Sequence, residues 1–256
     1  MTERIETARA VSRTHYLGEQ VLLDQPVKGY RAGIDAALLA SALNLKPGAL
    51  ACEFGCGAGA ALLSAARLYP EARFLGLERD PEMAALCASN IALNALEGQV
   101  SLETGDALAA GYREAFEAVF FNPPFFDDES ALRPPSDSKR GAWISDAPLD
   151  DWIRKGLKAL RPKGALTLVH RADRLPDILA SLARGTGDVV VQPIHSHAGK
   201  PAKRVVVRAV KGARGPFTLL SGLVIHGGEG ERYRPEALAI LHGRQRLSMR
   251  ASVETG

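Results

Sequence analysis

Residues 49–68 constrain the fold of this 256-residue chain most tightly. The apolar run Ala49-Leu-Ala-Cys-Glu-Phe54 leads into Gly55-Cys-Gly-Ala-Gly59, and an alanine-rich stretch, Ala60 to Leu68, follows. A strand-length apolar run, a glycine cluster and a helix-forming stretch, in that order, build the strand–turn–helix unit of a nucleotide site. Gly55, Gly57 and Gly59 permit a tight turn and close backbone approach, while the first amides of the helix suit a carboxylate or phosphate. The next apolar run, Arg73 to Glu78, ends in an acid that can hold both hydroxyls of a ribose.

Strand and helix signals alternate downstream. Pro81 to Asn94 reads as a helix, Gln99 to Thr104 as a strand followed by Gly105-Asp106, and Phe116 to Phe121 as another strand. Leu149 to Leu160 is amphipathic, Pro162-Lys-Gly164 turns into the strand Ala165 to His170, and Leu175 to Leu182 is a helix. Asp188 to Ile194 and Arg204 to Val210 form the antiparallel end. The expected fold is therefore α/β and Rossmann-like: a seven-stranded, mostly parallel sheet with helices on both faces. Residues 1–45 form an N-terminal appendage, with an arm over Gln20 to Pro26 and a helix capped by Asp35 and running to Leu43. Residues 46–250 form the main domain, and 251–256 a frayed tail.

Asn122-Pro-Pro-Phe-Phe126 directly follows the fourth strand. Two prolines cannot donate backbone hydrogen bonds, so the strand ends and carbonyl oxygens are left free. The Asn122 side-chain oxygen and the Pro123 carbonyl can each accept a hydrogen bond from a planar primary amine, with Phe125 stacking on its ring. On its own such a segment is an ordinary Pro-Pro turn; the glycine unit upstream favours a site.

Gly55, Gly57 and Ala60 also fit a dinucleotide fingerprint, so a nicotinamide oxidoreductase is one alternative. Against it stand Glu53, a charge where that strand is normally apolar, Asp106 after the third strand, and the Asn-Pro-Pro-Phe segment after the fourth. A free carboxylate at Glu53 suits a cofactor bearing a cationic amino group. Across residues 49–170 these features resemble the class I S-adenosylmethionine-dependent methyltransferases, whose first motif is an acid followed by Gly-x-Gly-x-Gly. The resemblance implies S-adenosylmethionine as cofactor, with Gly55 and Gly57 against its methionine portion, Glu53 near the amino group, Glu78 on the ribose and Asp106 on the adenine. It implies Asn122, Pro123, Pro124 and Phe125 as the catalytic segment, with Asn122 also at the cofactor.

Gly29-Tyr-Arg-Ala-Gly-Ile-Asp35, with Asn122 to Phe126 and Pro148-Leu-Asp-Asp-Trp152, is similar to the bacterial family that N6-methylates an adenine beside the anticodon of a valine tRNA. That resemblance extends over most of the chain and implies cofactor roles for Arg31 and Asp35. A protein glutamine N5-methyltransferase uses the same Asn-Pro-Pro segment, though usually with tyrosine where Phe125 stands and with a separate helical domain. Another RNA or DNA base, or an RNA-binding subunit without activity, completes the alternatives.

A net charge of +3 does not by itself identify a nucleic-acid binder. The distribution says more: Lys200, Lys203, Arg204, Arg208, Lys211 and Arg214 are close in sequence, and Lys200, Lys203 and Arg204 are the expected contacts to RNA phosphates. Arg133, Lys139 and Arg140 follow the catalytic segment, Arg244, Arg246 and Arg250 mark the tail, and Asp127-Asp-Glu129 would repel a phosphate backbone. The expected partner is the anticodon loop of a tRNA. Cys52, Cys56 and Cys87 read as buried thiols, and neither they nor His195-x-His197 completes a metal site. No run approaches the about 18 apolar residues of a membrane span, and a cytoplasmic location is expected.

Overall fold

The computed structural model describes residues 10–28, 31–123, 148–228 and 230–250. Pro124, Phe125, the residues from 127 to 141 and the tail 251–256 lie outside them. The chain opens with strands β1 (Val11–Tyr16) and β2 (Val21–Pro26), paired antiparallel. This arm begins well before Gln20, where the sequence pattern starts it, because every β1 side chain is exposed or only half-buried and no apolar run marks the strand. Helix α1 (Ile34–Ser41) is buried throughout from Ala36 to Ser41. Its N-cap is Gly33, not Asp35. Asp35 occupies the first turn, where its carboxylate still complements the positive helix end.

The glycine unit forms as β3 (Leu50–Phe54) and α2 (Ala60–Leu68), followed by β4 (Arg73–Glu78), α3 (Pro81–Leu93), β5 (Val100–Thr104) and β6 (Phe116–Phe121). Asp80 caps α3 by accepting from the amides of Glu82 and Met83, and Pro81 occupies the first turn, where it needs no donor. Then come α4 (Leu149–Ala159), β7 (Leu160–Arg171), α5 (Leu175–Leu182), β8 (Thr186–His195) and β9 (Ala202–Lys211). The Pro162-Lys-Gly164 turn is a bulge within β7: pairing with β6 shifts between Phe116–Leu160 and Ala118–Ala165, and Lys163 takes φ 65°. Two-residue strands β10 (Thr218–Leu219) and β11 (Leu223–Val224) and helix α6 (Pro235–Leu241) complete the described chain.

The seven long strands run in the order β8-β9-β7-β6-β3-β4-β5, and β10 and β11 both add to β8 to make nine. Among the described strands of this sheet only β9 is antiparallel to its neighbours, so the carboxyl ends of β3, β4, β6, β7 and β8 share one edge. Period-two alternation sorts the core. Ala118, Phe120 and Val206 face α1, α2, α3 and α6, whereas Val119, Phe121, Val205 and Val207 face α4 and α5. The central strands β6 and β9 are thus apolar on both faces, as a sheet covered by two helical layers requires.

Candidate active site

The cleft lies at the carboxyl edge, between the arm and the glycine turn. Glu53, Gly55 and Gly57 line it from β3 and its turn, Gln25, Pro26 and Ala32 from the arm and the residues before α1, Met83 from α3 and Asn122 from the end of β6. Gly57 adopts φ 54°, and a Cβ built on it would meet nothing within 4 Å, so its backbone faces open space. Gly55 is constrained from behind. At φ 67° its Cβ position lies 3.1 Å from the Trp152 ring. Trp152 packs at 5.7 Å on Phe121, which stacks at 6.3 Å on Phe54, so an aromatic column from α4 supports the ends of both central strands.

Glu78 joins the turn to the next strand. One carboxylate oxygen accepts from the Gly57 amide at 2.7 Å and the other from the Asp80 amide at 2.9 Å. The turn is thereby held at the rim of the cleft. Glu53 is 4% exposed, and its Oε2 is buried with no hydrogen-bond partner among the described residues. Burial, with repulsion from Cys87 and Glu78, holds its carboxyl well above the usual carboxylate range. A buried acid in this condition on a cleft wall is suited to a cationic ligand group.

Asn90 on α3 and Asn94 at its C-cap dock the arm, and the sequence reading missed them. Asn94 accepts from the Leu22 amide and donates to the Leu22 carbonyl; Asn90 does the same with Asp24 and also donates to Ala58. Spaced i, i+4, the two carboxamides present themselves to β2 as a neighbouring strand would. Polar residues at positions that helical periodicity assigns to the core were the available signal.

Other expected site residues are placed elsewhere. Arg31 donates to Ser12, Thr14 and the Pro26 carbonyl, and so braces the arm. Asp35 accepts from Arg204 at 3.2 Å and ties α1 to β9. Both charges were expected at the cofactor; neither lines the cleft, and both are engaged within the protein. Asp106 is exposed beyond the end of β5, outside the cleft wall, and accepts from the Leu108 amide. Lys200, Lys203 and Arg204 sit at the carboxyl edge, beside the cleft but not in it. Lys211 and Arg214 do not join them: the run of β9 carries Lys211 to the opposite edge, where it donates to the Leu160 carbonyl. Cys52, Cys56 and Cys87 are buried thiols, and among the described residues no three potential metal-ligating side chains cluster.

This sheet order, with one reversed strand beside its edge and a cleft where the strand order turns back at β3, is that of the class I S-adenosylmethionine-dependent methyltransferases. A solved structure of a predicted O-methyltransferase from Agrobacterium tumefaciens superposes with a TM-score of 0.71 at 25% identity, over 83% of this chain and 98% of that one. The chain belongs to the methyltransferase small domain family, whose model matches residues 31–189. Its cofactor is S-adenosylmethionine, and the residues of the cleft fit that group: Glu53 offers a buried acceptor to an ammonium, and Gly57 leaves its backbone open. Among curated relatives, a tRNA1(Val) (adenine(37)-N6)-methyltransferase of Porphyromonas gingivalis is 29% identical over 84% of this chain and 88% of its own length. A release factor glutamine methyltransferase of Gloeobacter violaceus is 26% identical over 62% of this chain and 58% of its own length. Among the described residues no helix is long and apolar enough to cross a membrane.

Proposed function

We propose that this enzyme methylates the N6 amine of an adenine in RNA, and that its substrate is adenine 37 of a valine tRNA, as in the relative that matches over most of its length. The observation that carries the reading is the placement of Asn122: it ends β6 in the wall of the cleft that holds Glu53 and the glycine turn, with its Oδ1 buried. Glu53 would hold the cofactor's amino group, Gly55 and Gly57 its methionine portion, and Glu78 its ribose. When bound, the cofactor supplies an electrophilic methyl group on a sulfonium. The protein's own task is to aim the acceptor.

An aromatic amine is a poor nucleophile because its lone pair is delocalised into the ring. Asn122 Oδ1 and the Pro123 carbonyl each accept one of its hydrogens, which draws the nitrogen toward tetrahedral geometry and points its lone pair into the cleft. Alignment provides most of the acceleration, since the electrophile is already activated. The proton departs after the nitrogen becomes positive, so no dedicated general base is needed. A base in a loop leaves its stack at small cost, which favours a loop substrate over a duplex.

The test is Asn122→Ala, read by calorimetry with S-adenosylmethionine and by transfer of labelled methyl to tRNA. The cofactor dissociation constant stays within about twofold while turnover falls by about 100-fold or more, the scale of losing a preorganised transition-state contact. Near-full turnover in this variant would remove Asn122 from the reaction. Label appearing in added protein rather than in RNA would move the acceptor to a glutamine carboxamide.

A further inference from the structure

At the same carboxyl edge, three strand positions from Asn122, three rings pack in a row, His197 tilted by 36° on His226. His197 lies 5.2 Å from His226, and His226 stacks on Tyr233 at 5.6 Å and 21°. The Arg232 guanidinium sits 5.3 Å from the Tyr233 centroid. The stack is built into the backbone. His195 Nδ1 donates to the Lys200 carbonyl and the Lys200 amide bonds to the His197 carbonyl, with Gly199 at φ 70°, closing the loop that carries His197. The amides of Ile225 and His226 donate to the carbonyls of His195 and Ser196, and His226 Nδ1 donates to the Arg232 carbonyl. His197 ends the stack exposed, whereas His226 and Tyr233 are half-buried beneath it.

From this geometry we infer that the His197–His226–Tyr233 stack is a platform for an unpaired RNA base, with Lys200 and Lys203 holding the adjoining phosphates. The inference rests on the proposed RNA substrate and adds where that substrate lies. A packed ring column ending in an exposed face lowers the ordering cost of a stacked base, and every base offers such a face. Lys200 lies in the loop that carries His197 and Lys203 follows in β9, both exposed and without an ion-pair partner among the described residues. In the segment from His226 to Glu236, Arg232 and Arg234 stand against Glu229, Glu231 and Glu236, so the positive charge offered to phosphates at the platform comes from the two lysines. Register places the platform and Asn122 along one edge: Phe121 is level with Leu168, Leu168 with Val207 and Val207 with Val191. The three strand steps between β6 and β8 span about 14 Å across the sheet, and β8 runs about 13 Å further from Val191 to His195, so the platform stands about 19 Å from Asn122, within reach of a few nucleotides of a loop. One base of the loop enters the cleft while a neighbour rests on His197.

The experiment measures binding of an anticodon stem–loop of valine tRNA by fluorescence anisotropy, and methyl transfer to the same RNA, for the wild type, His197→Ala, His197→Phe and Lys200→Ala/Lys203→Ala. His197→Ala raises the RNA dissociation constant and KM by about tenfold while leaving kcat, melting temperature and cofactor affinity unchanged, and His197→Phe restores binding. The double lysine variant weakens binding and flattens its salt dependence by about one unit of log–log slope per lysine lost. Unchanged RNA affinity in His197→Ala, or failure of phenylalanine to rescue, overturns the platform while the methyltransferase reading stands. A wild-type protein that neither binds nor methylates the stem–loop overturns both.

Discussion

At the scale of single residues, the cleft depends on two acids in opposite conditions. Glu78 is satisfied by two amides, whereas Glu53 is buried with its carboxyl held above the usual range by burial, Cys87 and Glu78. In the proposed role, the cofactor's amino group brings a cation to Glu53 and favours its ionised form, so binding releases a proton. Affinity for S-adenosylmethionine therefore rises with pH through the raised pKa and levels above it. The stability of the free protein moves oppositely. Unfolding returns Glu53 to an ordinary pKa, so between that value and the raised one the folded state binds more protons, and stability falls as pH rises through the window. Glu53→Gln flattens both dependences; calorimetry across pH and urea titrations at matched pH read them. A pH-independent wild-type affinity would exclude this role. Glu78→Ala releases the Gly57 amide and raises the cofactor dissociation constant by about tenfold or more, the worth of a charge-assisted hydrogen bond. An unchanged constant would exclude Glu78 from the cofactor site.

At the scale of elements, the arm is held by α3. Asn90 and Asn94 each exchange two hydrogen bonds with the backbone of β2, placing Gln25 and Pro26 on the cleft wall. Replacing both with alanine leaves the amides of Leu22 and Asp24 without these partners, at about 1–3 kcal/mol for each buried loss. Hydrogen exchange at those two amides then accelerates, and cofactor affinity falls by about tenfold while the melting transition of the sheet changes little. Protection that persists in the double variant would show that the arm docks by other contacts. The same elements show what a sequence discloses. α2, β4, β6 and α5 match their apolar runs end for end, because nearby glycines and prolines mark their limits locally. β1 carries no such mark, since its stability comes from pairing with β2. β10 and β11 are two-residue additions to β8 that no periodicity can reveal.

At the scale of the whole molecule, the long-range order of the sheet decides which charges meet. Glu53, Gly55, Gly57 and Asn122 converge because parallel strands bring their carboxyl ends to one edge, a consequence legible once strand and helix were seen to alternate. The basic residues of β9 were less legible. Close in sequence, they are separated by the length of an extended strand, which leaves Lys200, Lys203 and Arg204 near the cleft and Lys211 far from it. For Arg31 and Asp35 the sequence shows only the charge, whereas their partners, Ser12, Thr14 and Arg204, come from other elements. His197, His226 and Tyr233 meet only through the pairing of β11 with β8.

The central claim is that this cleft transfers methyl groups to an adenine of RNA. The most direct measurement incubates the purified protein with methyl-labelled S-adenosylmethionine and tRNA from a strain lacking the enzyme, digests the RNA to nucleosides and separates them. The account predicts label in N6-methyladenosine, and its loss with Asn122→Ala. Label in another nucleoside, or in added protein with none in RNA, would contradict it.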